Sequence, residues 1–154
     1  MKKNIAIFTA GRSDFGILKP LIIQFSNNKK VNLSVLFGVA HQEKIFGNTS
    51  KESNGLNFKK INIKSKSRIK GHSTHDTINS FSITLKETSR FFKKNKIDDF
   101  IIAGDRYETL ASVIVAKNYN IRISHLCGGS ITLGSLDDYY RNCISNISDF
   151  HFVD

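Results

Sequence analysis

Signatures that would assign a function at sight are missing from this sequence. Two cysteines, Cys127 and Cys143, are too few for a disulfide framework. Nor do they make a zinc site, because His125 and Cys127 on one strand followed by Cys143 and His151 match no standard ligand spacing. Cys127 reads as a buried, inert thiol rather than a nucleophile. No apolar run approaches the length of a bilayer, and the opening MKKNIAIFTAGRSD offers only residues 5–10 as an apolar stretch before Arg12 and Asp14. That is too short for a signal peptide, so a cytoplasmic location is expected, with no membrane partner. Neither G-x-G-x-x-G nor a Walker A motif occurs, and no carboxylate stands at the end of the second apolar run to bind a ribose. NAD-dependent redox chemistry and P-loop phosphoryl transfer are disfavoured. There is no internal repeat and no interdomain linker.

The 154 residues suit a single domain large enough to bury its own core. Lysine and arginine number 23 against 13 acidic residues, a net charge of +10. Such a balance fits nucleic acid, an anionic membrane face or a phosphorylated small molecule. The lysines are strewn along the chain, however, and the densest patch, KKINIKSKSRIK at 59–70, lacks the interleaved aromatics of a stacking platform. Most of this charge reads as solvated surface, and nucleic acid is disfavoured as a partner.

Continuous apolar runs recur at residues 5–8, 33–39, 100–103, 121–126 and 150–153, and more weakly at 61–63. Strands buried on both faces read this way. Between them lie segments of helical period. Residues 76–96 carry Ile78, Phe81, Leu85, Thr88 or Ser89, and Phe92 three or four apart, with Lys93, Lys94 and Lys96 at the dipole's negative end. Residues 14–25 carry Ile17, Leu18, Leu21, Ile22 and Phe25, and Pro20 predicts a kink or a shifted start there. Residues 107–120 and 136–148 supply two more helices, while 41–57 and 65–75 are polar loops. The alternation predicts an α/β fold with a doubly wound parallel sheet.

Ligands on such sheets sit beyond the carboxyl ends of the strands, so the residues after each apolar run carry the information. After the first comes TAGRSDFG, where Arg12 precedes a helix cap at Ser13 or Asp14 and could join the free N–H groups on one anion; the plainer reading is a surface Arg12–Asp14 pair. GVAH follows the second strand. GDRYE, 104–108, bends at Gly104 and lifts Asp105 and Arg106 above the sheet edge. Asp105 equally suits a helix cap, and Glu108 suits the dipole of that helix's first turn.

Together, TAGRSDFGILKPL, GVAH with the later FGNT, IIAGDRYETLA and HLCGGSITLGSLDDYYRNCISNISDFHFV resemble the hydrolysing UDP-N-acetylglucosamine 2-epimerases of sialic- and legionaminic-acid biosynthesis, in order and spacing, along the whole chain. The resemblance implies a Rossmann-like domain over 1–154, one half of a glycosyltransferase-B-type two-domain architecture, with the carboxy-terminal domain absent. It implies loss of UDP from C1 with removal of the C2 proton, then hydration of the glycal-like intermediate to N-acetylmannosamine or a related amino sugar. No cofactor is called for. Asp105 and Asp137 match family carboxylates assigned to proton transfer; Arg12, Arg106 and Arg141 supply positive charge for the leaving diphosphate.

In the same resemblance Gly128 and Gly129 let backbone approach the sugar, Thr132 and Gly134 shape the loop, and Arg141 lies one helical turn from Asp137, to pair with it or reach a phosphate. The partners implied are the UDP-sugar and a second-domain chain or a homo-oligomer. The chain departs from the family at Cys127, Ser130 and Asn142, where His or Glu, Glu and His are usual. These departures, with the missing domain, predict poor turnover by the chain alone. The alternative is a non-catalytic remnant or assembly partner that binds a nucleotide sugar or another anion. The family reading requires Arg12, Arg106 and Asp137 to meet at the rim where the strands end.

Overall fold

The computed structural model describes residues 1–42, 53, 55–64, 73–129, 131–132 and 135–153. The FGNT stretch, Ser130, Gly134 and most of the two polar loops lie outside them.

Six strands form one all-parallel sheet: β1 (Lys3–Thr9), β2 (Val31–Phe37), β3 (Lys59–Asn62), β4 (Asp99–Ala103), β5 (Arg122–Leu126) and β6 (Phe150–Phe152). Their order is β3-β2-β1-β4-β5-β6, so the chain winds outward in one direction from β1 and in the other from β4. This is the doubly wound, Rossmann-like arrangement that the alternating pattern predicts. The helices are α1 (Arg12–Ser26), α2 (Thr74–Lys94), α3 (Tyr107–Asn118) and α4 (Asp137–Ile147), and a 3-10 turn spans Val39–Gln42.

The two-sided burial inferred from the apolar runs holds for the central strands. In β1, Ile5 and Ile7 join Phe15, Leu18 and Ile22 of α1, whereas Ala6 and Phe8 join Phe92 of α2, Val113 of α3 and Ile144 of α4. The register Ile5↔Asp99, Ala6↔Phe100, Ile7↔Ile101 carries this alternation into β4. β6 differs: all three of its residues are exposed, as befits an edge strand.

Two local expectations are revised. Helix α1 starts at Arg12, with Gly11 as its N-cap, and runs through Pro20 without interruption. The missing N–H at Pro20 deprives only the Gly16 carbonyl, and both residues are exposed, so water replaces the lost bond. The lysines strewn along the sequence are, in space, largely gathered. Because every strand of a parallel sheet begins at the same edge, Lys2, Lys3, Lys30, Lys59, Lys96 and Arg122 all stand exposed at the amino edge. Asp99 answers two of them, at 2.7 Å from Lys3 and 2.9 Å from Arg122. No described helix is long and apolar enough to cross a membrane.

Phe100 is 0% exposed and meets Phe92 edge-on, ring centroids 5.3 Å apart. Phe100→Ala should therefore cost about 3–5 kcal/mol in urea unfolding, lowering the midpoint with an unchanged slope.

Candidate active site

The carboxyl edge is where β1 and β4, neighbours in the sheet, send their following helices to opposite faces. A crevice opens at such a switch point, and the loops bordering it are the ones the sequence singles out.

The β1–α1 turn is built on Asp14, third residue of the helix. Its carboxylate accepts the Ala10 and Gly11 N–H groups at 3.1 and 3.3 Å and the Ser13 hydroxyl at 3.0 Å. Asp14 is thus a buried brace rather than the surface partner of Arg12, and its charge is answered by Arg106. Burial raises its pKa, opposed by Arg106 and by these hydrogen bonds. Arg12, exposed, begins α1 one residue beyond Gly11. His41, from GVAH, closes the turn from below: its Nε2 is 3.0 Å from Thr9 Oγ1, while Thr9 Oγ1 also donates to the Gly11 carbonyl. Desolvation, with Arg106 and Lys60 adding to it, lowers the His41 pKa from 6.5 to about 4, so its imidazole is neutral.

The β4–α3 turn crosses to the same place. Gly104 adopts φ +76°, which permits the bend, and a Cβ there would lie 3.7 Å from Asp14 Oδ1. Arg106 is the N-cap of α3, and its Nη1 comes within 3.4 Å of where a Cβ on Gly11 would stand. The guanidinium therefore lies over the amino-terminal end of α1. Burial disfavours its charge, but Glu108, Asp14, Tyr107 and Asp137 outweigh that and raise its pKa. Glu108 is in the first turn of α3 as expected, but it is 2% exposed, 3.7 Å from Arg106 Nε through Oε2 and bonded to Ser80 Oγ at 3.3 Å through Oε1. Burial raises the Glu108 pKa against the pull of Arg106. Burial and the Glu108 carboxylate push the Tyr107 phenol up to about 12.

Asp105 does not cap α3. It pairs with Arg141, which also bonds Asp138 at 2.7 Å and reaches Thr132 Oγ1 at 3.4 Å. Arg141 thus faces Asp138 and Asp105, where the sequence pointed to Asp137: the i, i+3 position fits the direction taken by its buried side chain. Asp138 also accepts the Thr132 N–H at 3.0 Å, tying the loop before α4 to the cluster. Asp137, exposed at the start of α4, acts on Arg106 by its charge. Of the residues required to meet, Arg106 lies over the start of α1, which Arg12 opens, while Asp137 adds its charge from the start of α4.

The Gly-Gly pair after β5 has two distinct duties. Gly129 takes φ +87°, and Cys127, half-buried rather than buried, takes φ +58°, a costly conformation for a residue with a Cβ. Gly128 is needed for closeness: a Cβ would stand 2.8 Å from His125 Nδ1 and 3.1 Å from Ser145 Oγ. His125, 0% exposed, links its Nε2 to the Gly104 carbonyl at 2.8 Å and its Nδ1 to Ser145 Oγ at 3.1 Å, so it joins the β4 and β5 turns to α4. Burial lowers its pKa, and the neutral ring donates at Nε2 and accepts at Nδ1.

Gly128→Ala should destabilise the fold by about 1–3 kcal/mol in urea unfolding, since the backbone must retreat from His125. The depressed pKa of His41 has a signed consequence. Between pH 6.5 and 4 the unfolded chain binds the extra proton, so stability falls as pH drops through that window, by at most about 3 kcal/mol. Asp14 and Glu108, with raised pKa values, act in the opposite sense in both wild type and His41→Gln. The wild type should therefore lose that amount relative to His41→Gln across the window.

Comparison with known proteins agrees with this geometry. The family model described as UDP-N-acetylglucosamine 2-epimerase matches residues 24–154. A GDP/UDP-N,N'-diacetylbacillosamine 2-epimerase (hydrolyzing) of Campylobacter jejuni is 35% identical over 152 residues, covering 99% of this chain and 39% of that protein. A UDP-N-acetylglucosamine 2-epimerase of Neisseria meningitidis is 31% identical, covering 98% of this chain and 39% of that protein. The chain thus spans about two fifths of the length of these relatives. The crystal structure of UDP-GlcNAc 2-epimerase from Neisseria meningitidis bound to UDP-GlcNAc superposes with a TM-score of 0.78 at 16% identity, over 99% of this chain and 40% of that one, a likeness of fold. The match to the family model takes in most of the sequence, including the turns after β2, β4 and β5, and the chain belongs to the UDP-N-acetylglucosamine 2-epimerase family.

Proposed function

We propose that this chain is the amino-terminal domain of a hydrolysing UDP-N-acetylglucosamine 2-epimerase and that turnover requires a second polypeptide or domain to complete the cleft. In the reaction, a base removes the C2 proton as the C1–oxygen bond to UDP breaks, forming a C1=C2 bond. Water then adds to C1 and a proton to the other face of C2, giving UDP and N-acetylmannosamine or a related 2-epimerised amino sugar. No redox cofactor takes part.

The observation that carries this reading is the Arg106 guanidinium lying over the amino-terminal end of α1, next to the Asp105–Arg141 pair. Charge grows on the diphosphate oxygen as it leaves, and a fixed cation beside the positive end of a helix dipole stabilises it there. Arg12, on the first turn of the same helix, adds a second cation. Asp105 and Asp137 are the proton-transfer groups, and Gly128 and Gly129 admit the sugar. Arg141, buried between two carboxylates, serves the substrate by fixing Asp105. That engagement of Asp105 also favours a second reading, a domain that binds the nucleotide sugar without turning it over.

The test is calorimetry with UDP, followed by UDP release from UDP-N-acetylglucosamine, with and without a polypeptide carrying the remainder of the Campylobacter relative. Binding by the chain alone is expected, weakened about 10- to 100-fold by Arg106→Ala, the worth of a charged hydrogen bond. Release is expected only in the mixture. Binding with no release in either arm selects the second reading; absence of nucleotide binding in both arms overturns both.

A further inference from the structure

The reading of Arg106 as a diphosphate ligand leaves one buried group unused. Glu108 has an unpartnered carboxylate oxygen, Oε2, with no hydrogen bond among the described residues, and Arg106 Nε, 3.7 Å away, is equally without one. An acidic residue in the first turn of α3 would complement the helix dipole from an exposed position just as well. Burying a carboxylate to 2% exposure costs free energy unless a charge nearby is held by it. We propose that Glu108, held by Ser80 behind the crevice, is a positioning residue that fixes the Arg106 guanidinium over the start of α1 for a phosphate-bearing ligand.

The inference rests on the nucleotide reading above and adds to it the element that orients the cation. Ser80 Oγ, from α2, donates to Oε1 at 3.3 Å and so sets the carboxylate's rotation, leaving Oε2 toward Nε. Nε is the guanidinium nitrogen nearest the side-chain stem. A carboxylate on that edge leaves the two terminal nitrogens facing forward, and Nη1 is the one that reaches Gly11. The competing carboxylate is Asp14, which also acts on the charge of Arg106. Asp14 is already occupied by Ala10, Gly11 and Ser13, and it lies under the turn. Released from Glu108, the guanidinium swings down toward Asp14 and away from the position where an anion meets the helix end. With the anion bound, the Nε–Oε2 gap closes to a hydrogen bond.

The experiment is a double-mutant cycle on UDP binding by calorimetry with Glu108→Gln, Arg106→Lys and the double variant, alongside the side-chain Nε–H signal of Arg106 by NMR. Glu108→Gln keeps the size and the Ser80 bond while removing the charge, and circular dichroism confirms that it folds. It should weaken UDP binding about 10-fold, as loss of a hydrogen bond between charged groups does, and Glu108→Asp should recover part of that. In the Arg106→Lys background the same change should have no further effect, because lysine has no Nε to orient. The Arg106 Nε–H signal should shift and lose protection in Glu108→Gln. An equal loss in both backgrounds, or an unchanged Nε–H signal, overturns the proposal. If the wild type binds neither UDP nor inorganic pyrophosphate, the nucleotide reading fails, and the NMR signal still decides whether Glu108 positions Arg106.

Discussion

The pairing of β1 with β4 is the constraint on which the site depends. These strands were brought together by a crossover that passes β2 and β3, and from them the chain departs in opposite directions. Their carboxyl ends are therefore adjacent while their helices leave to opposite faces, which is why the turns at Gly11 and Gly104 face each other. Residues almost a hundred apart in sequence become neighbours by this pairing alone. The Ile5↔Asp99 to Ile7↔Ile101 register sets how far each turn projects, and a slip of one residue would exchange the two cores as well as separate Arg106 from the start of α1.

Electrostatics divides the molecule along the strand direction. The amino edge carries a surplus of exposed lysines and one arginine, several answering helix carboxyl ends or the strand-start aspartates. Among the described residues of the carboxyl edge, two cations stand beside carboxylates: Arg106 by Glu108 and Asp14, Arg141 by Asp105 and Asp138. A net charge of +10 taken over the whole chain says little about the site, because many of the described lysines stand at the opposite edge. In the proposed function, what matters to an arriving diphosphate is one oriented guanidinium at a helix end, in surroundings where burial makes its field count.

Much of this was legible in the sequence. Continuous apolar runs and period-3.6 segments locate the six described strands and four described α-helices, since the central strands are buried on both faces and α2 has one apolar stripe. The turns GDRYE and CGG stand out by their glycines: Gly104 takes the positive φ that its bend requires, whereas Gly128, which the resemblance gives to the sugar, is required in the structure by the closeness of His125. What escaped notice was pairing. Asp14 looked like a surface partner for Arg12 because sequence shows proximity along the chain, whereas its buried place is fixed by the turn folding over it. Arg141 was matched with Asp137 by helical spacing, but Asp105, from a distant turn, decides the direction of the side chain. His41, within GVAH, and His125, weighed only as a metal ligand, carry no sequence signal of their structural roles, since each acts through partners on other elements.

Those two histidines explain why the crevice can hold charged groups in fixed places. His125 ties the Gly104 carbonyl to Ser145, so the turns after β4 and β5 and the helix α4 are one mechanical unit. His41 ties the end of β1 to the turn after β2 through Thr9. Both imidazoles are kept neutral by burial, which matters because a charge on His41 would repel Arg106 and one on His125 would repel Arg141. A protonated imidazole would have to donate at both nitrogens, so the Ser145 hydroxyl would turn from donor to acceptor. Neutral hydrogen-bonding rings thus supply rigidity without charge, leaving the field at the rim to the arginines.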